Sequence, residues 1–160
     1  VLELVAGQVI LFIEVKKGAQ GPYPGLEAEI VKIIRAHQAE AWVRILSFDN
    51  RILQTFMSLA PDLRYQKLLV GQLPGLALYM DGTWHGQWVW EMDTVETINV
   101  NSRFATRRFI RKVQEAGKTI QVWTVDDPEN MKKLIQKGVD GIITNRPDLA
   151  QRDLLGSSNP

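Results

Sequence analysis

Short β-rich runs alternate with helical runs along almost the whole chain, and this alternation constrains the fold more than any other feature. In the first helical run, Ile30, Ile33 and Ile34 recur at helical spacing. The runs typical of strands are 9–16, 41–48, 66–70, 96–100, 119–125 and 139–144, and the helical runs are 26–38, 50–59, 102–116 and 127–137. Strands separated by helices predict an α/β fold with a parallel sheet and crossover helices.

Two architectures satisfy this alternation. A doubly wound open sheet would be complete within the 160 residues of the chain. A closed eight-stranded barrel usually needs about 250 residues, so the chain would hold roughly its last six strands. Length alone favours the open sheet. Because the chain starts at Val1 within an apparent helix end, VLELVAG, we expect it to be the C-terminal part of a longer protein.

The composition excludes several functional classes. The net charge is +1, which gives no reason to expect a nucleic-acid partner. The chain has no cysteine, so disulfides, thiol catalysis and cysteine-ligated zinc are excluded. No run approaches the ~18 consecutive apolar residues of a bilayer-spanning helix, and no transmembrane segment is predicted. The compartment and the oligomeric state stay open.

The segment QVILFIEVKKG, residues 8–18, is an apolar strand that ends in charges. Alternate residues of a strand share a face, so Glu14 and Lys16 project together at its C-terminal end. Active sites of parallel α/β folds are built at that end. Glu14 is therefore a candidate oxygen ligand for a divalent cation, and Lys16 a candidate partner for a phosphate. The competing interpretation is a strand end whose charges are solvated or paired with each other.

Several segments, in order along the chain, resemble the glycerophosphodiester phosphodiesterase family. The most specific is VWTVDDPENMKKLIQKGVDGIITNRPD, which is similar to the family's C-terminal signature from its Trp-Thr-Val strand to a Pro-Asp pair. FIEVK resembles the family's Glu-x-Lys strand, ILSFD its Ser-Phe strand, and AGKTIQVWTV the approach to the Trp strand. The resemblance extends from about Val9 to Leu149.

The resemblance implies a TIM-type (β/α)8 barrel. We therefore prefer the barrel to the doubly wound open sheet that the chain length alone favours. Residues 1–150 would form the C-terminal portion of one such domain, covering roughly its last six strands, and 151–160 a tail. The implied activity is hydrolysis of glycerophosphodiesters, a small-molecule substrate, to glycerol 3-phosphate and an alcohol. The implied cofactor is a divalent cation, Ca²⁺ or Mg²⁺.

The resemblance also assigns roles to residues. Glu14 falls on a metal ligand, Lys16 on a residue near the substrate phosphate, and Trp123 on a wall of the substrate pocket. A cation and a lysine would stabilise the charge that builds on the phosphodiester oxygens. Further pocket candidates are Ser47, Phe48 and Asn99. For all of these except the charged pair, burial in the core or a turn at a strand end is the competing interpretation.

The chain departs from the family pattern in two ways. Asp126 stands where the family often has Asn, and Asn145 where it often has Asp, which we interpret as tolerable changes in loops. The family's His-Arg-Gly, Glu-x-Asp and His-Asp segments have no counterpart in the 160 residues. Those segments carry the catalytic histidines and most metal ligands, and neither His37 nor His85 has the spacing of a replacement. We therefore assign no catalytic residue and expect the isolated chain to have little or no activity.

Two other functions stay open. The stretch 73–93 contains Trp84, Trp88 and Trp90 and interrupts the strand–helix rhythm, so we predict a loop excursion over one end of the barrel. If these side chains are exposed, they would make an adhesive patch, and the chain would be a non-catalytic, barrel-derived module that binds a phosphorylated ligand or a protein. The third possibility is an unrelated phosphate-binding barrel such as an aldolase or isomerase, in which Lys16 is the candidate Schiff-base lysine.

Overall fold

The computed structural model describes residues 1–72, 79–80, 84–85 and 93–154. The helices are α1 (Leu2–Val5), α2 (Leu26–Ala36), α3 (Asn50–Leu59), α4 (Arg107–Glu115), α5 (Pro128–Lys137) and α6 (Pro147–Leu154), with a 3₁₀ turn at Ser102–Phe104. The strands are β1 (Leu11–Glu14), β2 (Val43–Ser47), β3 (Arg64–Leu69), β4 (Gly71–Gln72), β5 (Tyr79–Met80), β6 (Trp84–His85), β7 (Val95–Asn101), β8 (Thr119–Trp123) and β9 (Gly141–Ile142).

The main sheet has six parallel strands in the order β1-β2-β3-β7-β8-β9. Spatial order therefore follows chain order, with no reversal of direction across the sheet. A doubly wound open sheet reverses its order at a switch point, whereas a barrel adds each strand beside the one before it. The predicted α/β class with parallel strands is confirmed, and the sheet is consistent with part of a barrel.

A second, small sheet joins β4, β5 and β6 in antiparallel order. These short strands fall at the start of the predicted loop excursion and within it, and sequence patterning did not indicate them. The excursion otherwise lies outside the described residues, as do Trp88 and Trp90, and only the strand positions of Trp84 and His85 are described.

Local signals explain where most helices begin and end. Asp49 caps α3 by accepting from the backbone N–H of Arg51, and Asp127 caps α5 by accepting from that of Asn130. Helix α5 has proline at its first position and ends at Gly138 in the left-handed region. The predicted start of a helix at Ser102 is wrong, because Thr106 caps α4 and Ser102 opens the 3₁₀ turn instead. Helix α6 was not predicted.

The hydrophobic core lies between the sheet and the helices. It is built from aliphatic and aromatic residues of alternate strand positions and of the inward faces of α2–α5, including Ile45, Tyr65, Ile98, Ile120 and Phe56. The other strand face is more polar: the Glu96 carboxylate pairs with Arg44 at 3.1 Å and with Arg64 at 2.9 Å. Because apolar residues occupy the helix-facing positions, the polar ones are left for the concave face of the sheet.

Strand β1 is an edge of the main sheet. Among the described residues it pairs with β2 alone, and Phe12 on its concave face is 46% exposed. Next to this edge, α1, α2 and β1 line a groove of about 710 Å³ that includes Leu2, Ile13 and Ile33. An edge strand with exposed apolar residues is a surface to which further strands can add. Within the described part of the chain, no helix has the length and apolar character needed to cross a membrane.

Candidate active site

The candidate site lies at the C-terminal ends of the main strands, on the concave face. Strand register sets its composition, because Asn99 is paired with Gln121, and Asn101 with Trp123, across β7 and β8. Gly141 of β9 is paired with Gln121. A Cβ at Gly141 would lie 2.9 Å from Cγ of Gln121, so glycine there leaves the room that the Gln121 side chain occupies.

Glu14 and Lys16 lie at the edge of this site. The Lys16 Nζ is 3.7 Å from Oε1 of Glu14, and the Lys16 and Glu14 side chains are 73% and 35% exposed, respectively. The ion pair between Glu14 and Lys16, one of the interpretations that the sequence left open, is therefore present in the structure. An exposed pair of this kind contributes little stability, so both groups are available to other partners at small cost.

Ser47 links strand ends instead of facing the concave side. Its hydroxyl donates to the carbonyl of Val15 at 2.7 Å and accepts from the backbone N–H of Asp49 at 3.1 Å. The residue is 1% exposed. Ser47 thus fixes the path of the chain out of β2, which sets the position of Phe48.

Phe48 lies directly after β2 and contacts Trp123 at the end of β8. The ring centroids are 5.7 Å apart and the planes stand at 87°, an edge-to-face arrangement that favours aromatic pairs. The carbonyl of Phe48 accepts from the ammonium of Lys67, a side chain with no exposed surface. Lys67 was not predicted as a site residue, because its strand also holds Arg64 and Gln66 and nothing in its local sequence marks it as buried.

Asn99 occupies the centre of the concave face. Its Nδ2 donates to Oε1 of Gln66 at 2.9 Å, and both residues are buried. Three buried side-chain polar atoms have no hydrogen-bond partner in the described structure, and two of them, Oδ1 of Asn99 and Nε1 of Trp123, belong to residues of the candidate site; the third is Oδ1 of Asn50. An unpaired buried polar atom is costly unless a ligand or water satisfies it. Gln66 was not predicted as a site residue, because strand alternation alone does not show which polar side chain contacts Asn99.

Strand alternation does not hold beyond Trp123. Over the predicted strand 119–125 it would put Gln121, Trp123 and Val125 on one face, but Val125 is 4% exposed and belongs to the core on the helix side. The reason is that β8 ends at Trp123, and the two-residue period holds only within a strand.

The two positions that depart from the family pattern contact each other. Oδ1 of Asp126 accepts from the Thr144 hydroxyl at 2.9 Å and from the backbone N–H of Asn145 at 2.7 Å. Oδ2 accepts from Nδ2 of Asn145 at 3.0 Å. These bonds, the Asn145 side-chain bond first, lower the pKa of the Asp126 carboxyl. The acid is at position 126 and the amide at position 145, the reverse of the family pattern. Asp126 and Asn145 together still supply one carboxylate and one amide donor.

The described residues do not complete a metal site. Glu14 offers one hard oxygen donor at the mouth of the fold, by which we mean the C-terminal ends of the main strands. No group of three or more His, Cys, Asp or Glu side chains in the described part of the chain is arranged to hold an ion. Ca²⁺ takes 6–8 oxygen ligands and Mg²⁺ an octahedral set. His37 is not a candidate, since its Nδ1 donates to the carbonyl of Ile33 on the outside of α2. The side chain of His85 lies outside the described residues.

The comparisons with known proteins bear on this arrangement directly. The sequence model of the glycerophosphoryl diester phosphodiesterase family matches residues 13–149. The chain belongs to this family. The match includes Glu14, Lys16 and Trp123, and it confirms the resemblance that FIEVK and the Trp-Thr-Val block indicated.

Relatives of known assignment match over most of this chain but only part of their own length. A glycerophosphodiester phosphodiesterase from Caldanaerobacter subterraneus subsp. tengcongensis is 31% identical over 149 residues, which are 92% of this chain and 57% of that protein. One from Bacillus altitudinis is 25% identical over 158 residues, covering 94% of this chain and 58% of that protein. The chain spans a little over half the length of these relatives.

Solved structures of the family share the fold. A protein from Silicibacter pomeroyi, assigned as a glycerophosphoryl diester phosphodiesterase, superposes with a TM-score of 0.80 at 25% identity, over 96% of this chain and 54% of that one. A phosphodiesterase from Oleispira antarctica, solved in complex with the product sn-glycerol-3-phosphate, gives a TM-score of 0.73 at 18% identity, over 94% of this chain and 57% of that one.

Proposed function

We propose that the protein hydrolyses glycerophosphodiesters to glycerol 3-phosphate and an alcohol. In this reaction the oxygen of water bonds to phosphorus, the bond between phosphorus and the alcohol oxygen breaks, and the alcohol leaves with a proton. The observation that carries the proposal is the mouth of the family fold, where Phe48 and Trp123 form an aromatic wall beside Asn99. The glycerol 3-phosphate bound to the Oleispira antarctica phosphodiesterase is the product that this reaction would release.

The chain's own residues take distinct roles in this proposal. Trp123 offers an indole face to the glycerol carbons and its Nε1–H to a glycerol hydroxyl, while Oδ1 of Asn99 accepts from another hydroxyl. Lys16 leaves its weak pairing with Glu14 and stabilises the charge that grows on the phosphate oxygens as the bond breaks. Ser47 fixes the chain next to Phe48 and so holds the aromatic wall in place.

We further propose that the six parallel strands are the last six of an eight-stranded barrel and that residues 1–150 are part of a single domain. The sequential strand order and the exposed apolar edge at β1 support this. Strands that pair with β1 would bring their own C-terminal ends next to Glu14. The activity then depends on groups from those strands, and the 160 residues alone turn over little or no substrate.

The proposed enzyme requires a divalent cation, Ca²⁺ or Mg²⁺, with Glu14 as one ligand among several. A bound cation would supply positive charge to the phosphate oxygens. The remaining ligands would come from outside the described residues, among which no group of three or more His, Cys, Asp or Glu side chains is arranged to hold an ion. The dependence is checked by removing the ion with EDTA and restoring it.

The experiment measures release of glycerol 3-phosphate from sn-glycero-3-phosphocholine by the protein as its natural gene encodes it and by the 160-residue chain. We expect cation-dependent release by the former that Trp123→Leu lowers, and little or none by the latter. The same substitution at Trp42, which packs on the outer core, is the matched control. The proposal fails if the natural protein releases no product from any glycerophosphodiester offered with Mg²⁺ or Ca²⁺.

A second candidate function is a non-catalytic module that binds a phosphorylated ligand. The observation that favours it is the mutual pairing of Glu14 and Lys16, together with the absence of a group of metal-binding side chains among the described residues. Such a module would bind glycerol 3-phosphate without hydrolysing any diester and without a response to EDTA.

A further inference from the structure

A basic groove lies on the outer surface, away from the concave face of the sheet. It has a volume of about 380 Å³ and is lined by Arg103, Arg107, Lys133 and Lys137, with Ser102 and Asn130 beside them. The cations come from two parts of the chain. Arg103 and Arg107 lie in the 3₁₀ turn and the first turn of α4, and Lys133 and Lys137 lie four residues apart on one face of α5.

The charge of this groove is not neutralised. Of the described residues that line it, none is acidic. None of the four cations makes an ion pair with a carboxylate of the described chain, although Lys132 on the same helix pairs with Glu129 at 3.0 Å. The net charge of the whole chain is only +1, so the net charge gives no indication of the four positive side chains clustered in this groove.

These groups suit a phosphate. Two guanidinium groups present planar forks that match phosphate oxygens, and two ammonium groups add point charges. The Ser102 hydroxyl and the Asn130 amide provide neutral donors at the rim. Four cations held around one groove repel each other, and a bound phosphate relieves that repulsion, a doubly charged monoester more than a singly charged diester. The volume falls within the range of small-ligand sites, about 300–1,000 Å³.

We propose that this groove between α4 and α5 is a second phosphate-binding site, separate from the barrel mouth. Its ligand class is a phosphate monoester or diester, carried either by a free small molecule or by the headgroup of an anionic lipid. The site collects phosphorylated molecules on the helix side of the fold, because clustered cations raise the local concentration of anions.

The test compares two variants of equal charge in the complete protein. Arg107→Gln combined with Lys133→Gln removes two groove cations. Arg108→Gln combined with Arg111→Gln removes two exposed cations of α4 that do not line the groove. Binding of inorganic phosphate is measured by calorimetry, and sedimentation with phosphatidylglycerol vesicles is compared with phosphatidylcholine vesicles.

We expect the groove variant to bind about tenfold more weakly, as the loss of one charged hydrogen bond or more predicts, and the control to change less than about twofold. A loss confined to inorganic phosphate identifies a free small molecule as the source, and a loss confined to phosphatidylglycerol vesicles identifies a lipid headgroup. Equal losses in both variants would mean diffuse surface charge and would overturn the proposal. So would wild-type protein that binds neither probe, or a groove variant that binds both normally.

Discussion

The ring of Phe48 meets the ring of Trp123 edge-on, with centroids 5.7 Å apart, although β3 and β7 separate their strands in the sheet. Residues three strands apart touch only if the sheet curves strongly toward its concave face. The contact therefore shows that the sheet is curved, and it narrows the opening at the C-terminal ends of the strands. Nε1 of Trp123 is buried without a hydrogen-bond partner in the described structure.

Trp123→Phe is predicted to weaken binding of glycerol 3-phosphate by about tenfold, because an aromatic ring stays while the only donor of the side chain is lost. Affinity is measured by calorimetry in the complete protein. Trp42→Phe is the matched control, since Trp42 packs against the outer core, and it should leave affinity unchanged. Equal affinities in wild type and Trp123→Phe would remove Nε1 from the proposed site.

Asn145→Asp is predicted to destabilise the fold at pH 7, since it would place a second carboxylate against Oδ2 of Asp126 in place of the amide that donates to it. The double variant Asp126→Asn with Asn145→Asp should recover most of the loss, because one acid and one amide again face each other. Urea denaturation gives the midpoints. A double variant less stable than Asn145→Asp alone would contradict this pairing.

Asp49 is predicted to make stability depend on pH in the acid range. Its carboxylate accepts from the side chain and backbone N–H of Arg51, and the Arg51 side-chain bond above all lowers the pKa of Asp49 from 3.8 to about 2. A pKa lowered in the folded state adds stability above the unfolded pKa, and that stability disappears as pH falls toward the folded pKa. Asp49→Asn should therefore cost about 1–2 kcal/mol at pH 7.

The difference between wild type and Asp49→Asn should stay constant down to about pH 4 and vanish between about pH 4 and pH 2. Unfolding by urea at a series of pH values measures it. Arg51→Gln should destabilise the wild type but have little further effect in the Asp49→Asn variant, because the partner of the guanidinium is already neutral there. A pH-independent difference would assign the effect to the helix cap alone.

Tyr65→Phe is predicted to lower the unfolding free energy by about 1 kcal/mol, the net contribution of one buried hydrogen bond. The carbonyls of Phe56 and Ala60 would keep their backbone donors, the N–H groups of Ala60 and Leu63. The Tyr65 hydroxyl lies 3.0 Å from the carbonyl of Phe56 and 2.5 Å from that of Ala60 at the end of α3. Tyr23 is 56% exposed, and Tyr23→Phe serves as control with a change within about 0.5 kcal/mol. Equal effects at both positions would show that the buried hydroxyl contributes nothing.

Local patterns predicted much of the fold. The period of apolar residues located the parallel strands, and the helix over 50–59 was predicted with its observed bounds. Asp127, Pro128 and Gly138 marked both ends of α5 because each acts on its own turn. The helix start at Ser102 was predicted wrongly because local signals compete there. The Asn101 side chain accepts from the backbone N–H of Arg103 in the 3₁₀ turn, and Thr106 caps α4, so the helix begins at Arg107.

The candidate site was predicted only in part. Glu14, Lys16 and Trp123 were found because they lie in short motifs at strand ends, and their proposed roles stay predictions. Gln66 and Lys67 were missed because their partners, Asn99 and the carbonyl of Phe48, are 33 and 19 residues away in the chain. The basic groove was missed for the same reason, since its four cations belong to separate parts of the chain.

The sequence by itself determined the family and the strand–helix alternation, since these depend on motifs and on periods set by the backbone. Only the tertiary structure decided which strand ends meet. Register places Asn99 beside Gln121 and Asn101 beside Trp123, and the curvature of the sheet brings Phe48 to Trp123. Both depend on contacts between strands that lie far apart in the chain, which no short stretch of residues contains.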